Sequence, residues 1–154
     1  SEAGTAIAFF LHHAATLDKA AIGTVLGDPG PLAHETLNAF AEVFDFRGRS
    51  FVSALRAFLE SFVLPGEAQK IERIMECFAK HYYVQNKDNQ ECEAYNSDSV
   101  VFVLSYSVIM LNTDLHNTSV QRKMTIDDFL RNNAGINDGN NISESVLRKI
   151  FNYI

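Results

Sequence analysis

Apolar residues recur three and four positions apart along most of the chain, which is the spacing of one face of an α-helix. The pattern predicts helices over 6–13, 17–26, 32–44, 51–62, 67–83, 97–115, 125–131 and 144–153. The sequence has no paired strand patterns, internal repeats or low-complexity tracts. These observations indicate an all-α fold, and the short, unequal helices favour an irregular stack over a symmetric bundle.

Local signals set the predicted helix boundaries. Ser50, Thr125 and Ser143 suit N-cap positions, and the run Gly27–Pro31 ends one helix and begins the next. Val84–Ser97 is the longest polar stretch and is predicted to be a loop. The helix after this loop is apolar on all sides, so we expect neighbours to surround it at the centre of the fold.

Composition narrows the class of partner. With 154 residues and 47 % apolar residues the chain suits one domain with a proper core. Its net charge of −6 makes it a weak candidate for binding nucleic acid or anionic lipid, and favours a partner with a basic face. Its longest nearly apolar run, Val100–Leu111, is too short to span a bilayer. The chain has only two cysteines and no recognisable signal peptide, which favours a reduced, cytosolic protein. Because the chain starts at Ser1 without methionine, we expect it to be part of a larger protein.

The segment FVLPGEAQKIER, Phe62–Arg73, places a carboxylate on a forced turn. Pro65 fixes φ, and Gly66 can adopt backbone conformations closed to other residues. Glu67 is then predicted in the first turn of a helix, where free N–H groups and the helix dipole favour negative charge. From position alone, Glu67 is simply a residue that stabilises a helix start.

A second segment, LSYSVIMLNTDLHN, covers Leu104–Asn117. Together the two segments resemble the signature motifs of the Sec-seven (Sec7) domain, the catalytic domain of guanine-nucleotide exchange factors for Arf GTPases. The sequence after Asn117 is similar to that of the large Golgi exchange factors, the Sec-seven/BIG group. The resemblance runs from about Leu17 to the end, and implies an irregular right-handed stack of about eight to ten helices with a hydrophobic groove.

The resemblance implies that Glu67 is the catalytic "glutamic finger" of this family, carried by the supporting turn Leu64, Pro65 and Gly66. Such a carboxylate enters the nucleotide site of the GTPase, repels the β-phosphate of GDP and competes for Mg²⁺ and the P-loop lysine. The reaction is nucleotide exchange on a partner, without covalent chemistry. The resemblance implies no cofactor for the chain itself.

The second segment is expected to line a groove for the switch regions of the GTPase. By resemblance, the wall residues are Tyr106, Ile109, Met110, Thr113, Asp114 and Asn117. Met110 suits a surface that must fit a moving partner, because its side chain is flexible and polarizable. Two alternatives stay open: Ile109 and Met110 as ordinary core residues, and Asn117 as a helix C-cap.

A further set of residues accompanies brefeldin A sensitivity in this family, and here it is Tyr106, Ser107, Asp114 and Met124. The drug is expected to bind the complex with GDP-bound Arf rather than this chain alone. The expected partner is therefore an Arf-family small GTPase, in GDP-bound and nucleotide-free states. The resemblance implies a cytosolic protein that is recruited to Golgi membranes. Contact with the membrane is expected only through the GTPase or through flanking regions.

The chain departs from the family pattern at Val63, where arginine is usual, and at Glu72, where aspartate is usual. The family normally has helices before Ala6, so 1–154 is expected to be a single exchange domain lacking its first helices. The Val84–Ser97 loop is longer than usual.

Other chemistries have weaker support. Cys77 and His81 lie four apart on a helix, but no second pair has ligand spacing, so no metal site is predicted. A hydrolase would need a nucleophile and an orienting partner near Asp114 and His116, and neither is evident. A non-catalytic helical adaptor that uses the same groove is the alternative function, and it would not need Glu67.

Overall fold

The computed structural model describes residues 1–154 and is built from α-helices joined by short turns. The helices are α1 Glu2–His13, α2 Lys19–Gly27, α3 Pro31–Glu42, α4 Phe51–Leu59, α5 Ala68–Asn86, α6 Asp98–His116, α7 Ile126–Asn132 and α8 Glu144–Tyr153. A 3₁₀ turn, Gln90–Cys92, lies between α5 and α6, and the only strand-like pairing is the isolated bridge between Asn137 and Asn140. The predicted all-α class is confirmed.

The capping signals in the sequence act as predicted at two helices. Ser50 Oγ accepts a hydrogen bond from the backbone N–H of Ser53, and Thr125 forms a reciprocal capping box with Asp128. Ser143 occupies the N-cap position of α8, but its hydroxyl pairs with that of Ser145 rather than with a helix N–H. Side-chain caps therefore fix the starts of α4 and α7 directly.

Three helix boundaries differ from the sequence prediction by three residues or more. α1 begins earlier, at Glu2, because Ser1 Oγ caps it. α4 ends at Leu59, yet Phe62 beyond it stays buried, since its ring packs 5.2 Å from that of Phe58. α5 continues to Asn86, so the predicted Val84–Ser97 loop begins as helix.

Aromatic side chains form the centre of the core. Phe58 and Phe78 stack with ring centroids 5.5 Å apart, and Phe78 stacks on Tyr82 at 5.9 Å. Phe46 contacts all three rings edge-on or tilted. The buried hydroxyl of Tyr82 donates to the carbonyl of Arg49 at 3.0 Å. This cluster joins α4 and α5 to the turn after α3, and explains a chain rich in phenylalanine.

α5 and α6 pack side by side and run antiparallel. The hydroxyl of Tyr106 on α6 donates to the carbonyl of Ala68, the first residue of α5, at 3.2 Å. Phe102, one turn earlier on α6, lies beside Glu76 and Lys80. The part of α6 from Tyr106 to its end therefore extends about 15 Å past the start of α5.

The expectation that neighbours surround α6 is wrong. Val101, Leu104 and Leu111 are fully buried, but Val103 is 42 % exposed and Met110 is 60 % exposed. By length and composition α6 could cross a membrane, although its buried side chains belong to the core of the fold. Neighbouring helices cover only one side of α6, and an apolar face remains open to solvent.

Candidate functional site

The turn between α4 and α5 carries the predicted catalytic residue. It begins after Leu59, and Phe62 anchors it in the core. The backbone N–H of Val63 donates to the carbonyl of Lys19 on α2 at 3.0 Å. Leu64 and Pro65 are half-buried, whereas Val63 is 52 % exposed. The turn is thus held at its base, and its far end reaches the surface.

Glu67 lies at the exposed end of this turn. It is the N-cap residue of α5, rather than a first-turn residue as predicted from the sequence. Its carboxylate caps no helix N–H, its side chain is 74 % exposed, and the neighbouring cation is Lys70, with Nζ 3.7 Å from Oε1. The carboxylate is therefore free of backbone contacts and accessible to a partner.

Gly66 does not use the conformational freedom expected of it. Its φ lies outside the left-handed region that favours glycine. A Cβ added at this position would have no atom within 4 Å. The fold of the isolated chain consequently does not require glycine at Gly66.

A groove of about 400 Å³ lies beside the turn, between α4, the overhanging half of α6 and the last residue of the chain. Its apolar lining residues are Val52, Leu55, Leu59, Leu64, Val108, Ile109 and Ile154, and its polar ones are Arg56, Glu60, Asn112 and Thr113. It brings together Leu64 of the turn and two of the six predicted wall residues, Ile109 and Thr113. The surface is mostly apolar with polar edges, which suits a protein segment.

The other predicted wall residues lie around this groove rather than in it. Met110 is on the exposed side of α6, so the alternative that it is a core residue is wrong. Tyr106 faces the start of α5, where partial burial and the nearby Glu72 carboxylate raise the pKa of its phenol. Ile109 is half-buried against the core, so it serves both the core and the groove.

Asp114 holds the segment that follows α6. Its Oδ2 accepts a hydrogen bond from the backbone N–H of Met124 at 2.6 Å. Lys123 donates from Nζ to the carbonyls of Asp114, at 3.0 Å, and Asn117. A cation at this position satisfies free carbonyls at the C-terminus of the helix, where the dipole favours positive charge. Two of the four predicted brefeldin-associated residues are thus in direct contact.

Asn117 is the C-cap residue of α6, as one alternative held. Its side chain is exposed, and Oδ1 accepts from the backbone N–H of Ser119 at 2.9 Å. Ser107 is half-buried on α6, two helical turns before Asp114 and on the same side of the helix. Neither position excludes contact with a partner.

The cysteine and histidine weighed as a metal pair have another role. The Cys77 thiol donates to the carbonyl of Leu37 and to Asn38 Oδ1, and His81 Nε2 lies 3.5 Å from the same Asn38 oxygen. Both side chains therefore link α5 to α3.

The Asn137–Asn141 segment, between α7 and α8, is a tight turn with Asp138 and Gly139 at positive φ.

Sequence reasoning missed residues that contact the turn from α2. Lys19 Nζ donates to the carbonyl of Glu60 at 2.8 Å, and the backbone of Gly23 lies against that of Val63. A glycine inside a helix costs about 1 kcal/mol relative to alanine, so Gly23 within the predicted helix 17–26 was the signal of a packing constraint.

Comparison with known proteins identifies the family to which this chain is similar. The model of the Sec7 domain matches residues 1–154. The chain is 48 % identical over 148 residues to "Brefeldin A-inhibited guanine nucleotide-exchange protein 2" of Arabidopsis thaliana, covering 96 % of this chain and 8 % of that protein. The chain spans about a tenth or less of the length of the curated relatives it matches.

Two solved structures have the same fold. The Sec7p catalytic domain superposes with a TM-score of 0.91 at 42 % identity, covering 100 % of this chain and 81 % of that one. A Sec7 domain solved with ARF1-GDP and brefeldin A gives a TM-score of 0.89 at 39 % identity, covering 100 % of this chain and 75 % of that one.

Proposed function

The chain belongs to the Sec7 domain family, and from this premise we propose that it is a guanine-nucleotide exchange factor for Arf-family small GTPases. The relatives carry this activity in their names, and one neighbouring structure holds ARF1-GDP on a Sec7 domain. The exchange activity resides, in this proposal, in residues 1–154 as a single domain.

One observation supports the catalytic role of Glu67 most directly. Its carboxylate projects from a turn that is fixed at its base, is 74 % exposed, and accepts no hydrogen bond from the helix that it caps. A charge in that state can be presented to a partner without first breaking strong contacts. Its ion pair with Lys70, at 3.7 Å and exposed on the Glu67 side, is weak.

Glu67 acts by electrostatics. Inside the nucleotide site its charge repels the β-phosphate of GDP and competes for the Mg²⁺ and lysine that hold that phosphate. At ~4 Å and an effective dielectric constant of ~20, one charge pair is worth roughly 4 kcal/mol. At about 1.4 kcal/mol per tenfold, such an interaction weakens nucleotide binding on the order of a thousandfold. GDP then leaves, and GTP fills the site by mass action.

The groove beside the turn receives the switch regions of the GTPase. Ile109, Thr113 and Leu64 contact the docked segment within the groove, while Met110 and Tyr106 contact it along the rim. Met110 packs well against a segment that changes conformation, because its thioether is flexible. Asp114 and Asn117 add polar contacts at the far end. The net charge of −6 favours a partner with a basic docking face.

Brefeldin A acts, in this proposal, on the complex with GDP-bound Arf. Tyr106 and Ser107 lie near the middle of α6, and Asp114 lies in its last turn, where its carboxylate holds the backbone N–H of Met124. The relatives named for inhibition by brefeldin A support this assignment. The protein works in the cytosol and on Golgi membranes, which it reaches through the GTPase or through other parts of the full protein.

A non-catalytic adaptor is the second candidate, because an apolar groove of this size also suits a partner helix. The release of fluorescent GDP from a soluble Arf separates the two functions. Substoichiometric chain should accelerate release in the presence of excess GTP, and saturating brefeldin A should suppress the acceleration. Binding without acceleration would favour the adaptor, and the absence of both would refute the exchange proposal.

A further inference from the structure

Three residues of α2 lie on the side of that helix that faces the catalytic turn. Lys19, Gly23 and Gly27 are spaced four positions apart, so they form one stripe along the helix. Each contacts a segment next to Glu67 in sequence. These three residues contact Glu60 and Val63, which precede Glu67 in the sequence, and Lys70 and Arg73, which follow it.

Gly23 sets the distance between α2 and the turn. A Cβ built on Gly23 would lie 1.8 Å from the carbonyl oxygen of Val63 and 3.0 Å from its carbonyl carbon. The obstructing atoms are backbone, so they cannot rotate away as the end of a side chain can. Any other residue at Gly23 forces α2 and the turn apart by more than about 1 Å.

Lys19 fixes the same turn through two hydrogen bonds. Its carbonyl accepts from the N–H of Val63 at 3.0 Å, and its ammonium donates to the carbonyl of Glu60 at 2.8 Å. Glu60 is the C-cap residue of α4, so the lysine charge lies at the negative end of that helix. Lys19 therefore ties α2 to the end of α4 and to the start of the turn.

Gly27 contacts the other side of the turn. A Cβ on Gly27 would lie 2.9 Å from Lys70 Cβ, so the absent side chain leaves room for the stem of that lysine. Its carbonyl accepts from Arg73 Nε and Nη2, at 3.3 and 3.0 Å. Lys70 is the residue whose ammonium lies 3.7 Å from the Glu67 carboxylate.

We infer that the Lys19–Gly23–Gly27 stripe of α2 positions Glu67 for nucleotide exchange, an inference that rests on the proposed function. The carboxylate itself has few contacts, so its location depends on the backbone on either side. A displacement of about 1 Å at a reacting group can cost roughly a hundredfold in rate. Gly23, Lys19 and Gly27 are positioning residues, since none of them is placed to touch the nucleotide.

Gly23→Ala tests this inference against the matched control Ala21→Gly. Ala21 is exposed on the same helix, so its replacement loosens α2 without approaching the turn. Three quantities are measured for each variant: the hydrogen exchange of the Val63 amide, the kcat of GDP release, and the KM for GDP-loaded Arf. Gly23→Ala should expose the Val63 amide and lower kcat by about ten- to a hundredfold, with KM within about threefold of wild type. Ala21→Gly should leave kcat unchanged.

Three results would overturn the inference: an unchanged kcat in Gly23→Ala, an equal loss in Ala21→Gly, or a rise in KM in place of the fall in kcat. If Gly23→Ala does not fold, two variants of Lys19 take its place. Lys19→Met should lower kcat, whereas Lys19→Arg, which keeps the charge, should have a kcat close to that of wild type. Equal kcat values for Lys19→Met and Lys19→Arg would overturn the inference. A wild-type chain without exchange activity refutes the proposed function instead. In that case a Val63 amide that stays protected in Gly23→Ala still shows that α2 does not fix the turn.

Discussion

The backbone N–H of Met124 donates to Oδ2 of Asp114 at 2.6 Å, which joins the end of α6 to the start of α7. The family resemblance associates both residues with brefeldin A sensitivity, and the structure adds a physical link between them. Lys123 strengthens the link through the carbonyls of Asp114 and Asn117. Asp114 is therefore a structural anchor of the groove's far end as well as a candidate contact.

Replacing this carboxylate should separate its two roles. Asp114→Ala removes the acceptor for the Met124 amide and should lower the free energy of unfolding by about 1.5–3 kcal/mol, the range for a hydrogen bond to a charged group. Asp114→Asn keeps an acceptor oxygen, so it should lose less than half as much in urea unfolding. Both variants should resist brefeldin A if the drug needs the negative charge. Resistance in Asp114→Ala alone would show that the drug depends on the anchored segment instead.

Gly66 offers a test of how closely a partner approaches the turn. Nothing in the isolated chain opposes a Cβ there, so Gly66→Ala should unfold at the same or a higher urea concentration, gaining up to about 1 kcal/mol. Exchange should nevertheless fall at least about tenfold, because glycine permits close approach of backbone to a ligand. Unchanged exchange would mean that the partner does not approach this backbone, and a destabilised variant would mean that the turn itself needs glycine.

Asn86 supplies a prediction about stability alone. Its buried amide donates to the carbonyls of Phe46 and Tyr82, at 2.9 and 3.1 Å, and accepts from the N–H of Gly48 at 2.9 Å. Asn86→Ala leaves buried groups of that turn without partners and should cost about 2–4 kcal/mol in urea unfolding. The exposed Asn152 on α8 is the control, and Asn152→Ala should stay within about 0.5 kcal/mol. Equal costs would contradict the role of Asn86.

The two buried thiols predict a loss of stability in alkaline solution. Burial raises the pKa of Cys77 to about 12 and that of Cys92 to about 11, from an ordinary value of 9.0. Above pH 9 the unfolded chain releases these protons while the folded chain keeps them, so stability falls as pH rises from about 9 towards 12. By pH 10 the free energy of unfolding should be lower by about 2–3 kcal/mol than at pH 8, with the two thiols contributing about equally.

The test is the double variant Cys77→Ala/Cys92→Ala, measured by urea unfolding at pH 8 and pH 10. Its free energy of unfolding should fall clearly less between these two pH values than that of wild type. Burial also raises the pKa of Tyr82 and Tyr95 from an ordinary value of 10.0, so the loss of stability from these phenols begins about one pH unit higher and grows mainly above pH 10. An identical pH dependence in wild type and the double variant would show that the thiols do not contribute.

Sequence patterns predicted features that are set locally. The N-caps at Ser50 and Thr125 and the break at Pro65 depend on residues within one helical turn of each other, and the structure contains all three. The all-α class followed from periodicity for the same reason.

Features set by distant residues were not predictable. The apolar pattern of α6 indicates that its faces are apolar, but which faces a neighbour covers depends on where α4 and α5 end, and Met110 lies on the uncovered side. The approach of Gly23 to Val63 joins residues forty positions apart, and α5 extends to Asn86 because of contacts with the turn after α3. The free state of the Glu67 carboxylate likewise appears only once the turn is in place.

The central claim is that the charge of Glu67, and not merely the groove, drives nucleotide release. The most direct measurement compares the rate of fluorescent GDP release from a soluble Arf with wild type, Glu67→Gln and Glu76→Gln. Glu76 is an exposed glutamate on the same helix, paired with Lys80 at 3.3 Å, so its variant removes an equal charge elsewhere. We predict that Glu67→Gln binds Arf normally but loses about a hundred- to a thousandfold in rate, while Glu76→Gln stays near wild type. Full activity in Glu67→Gln, or an equal loss in Glu76→Gln, would contradict the account.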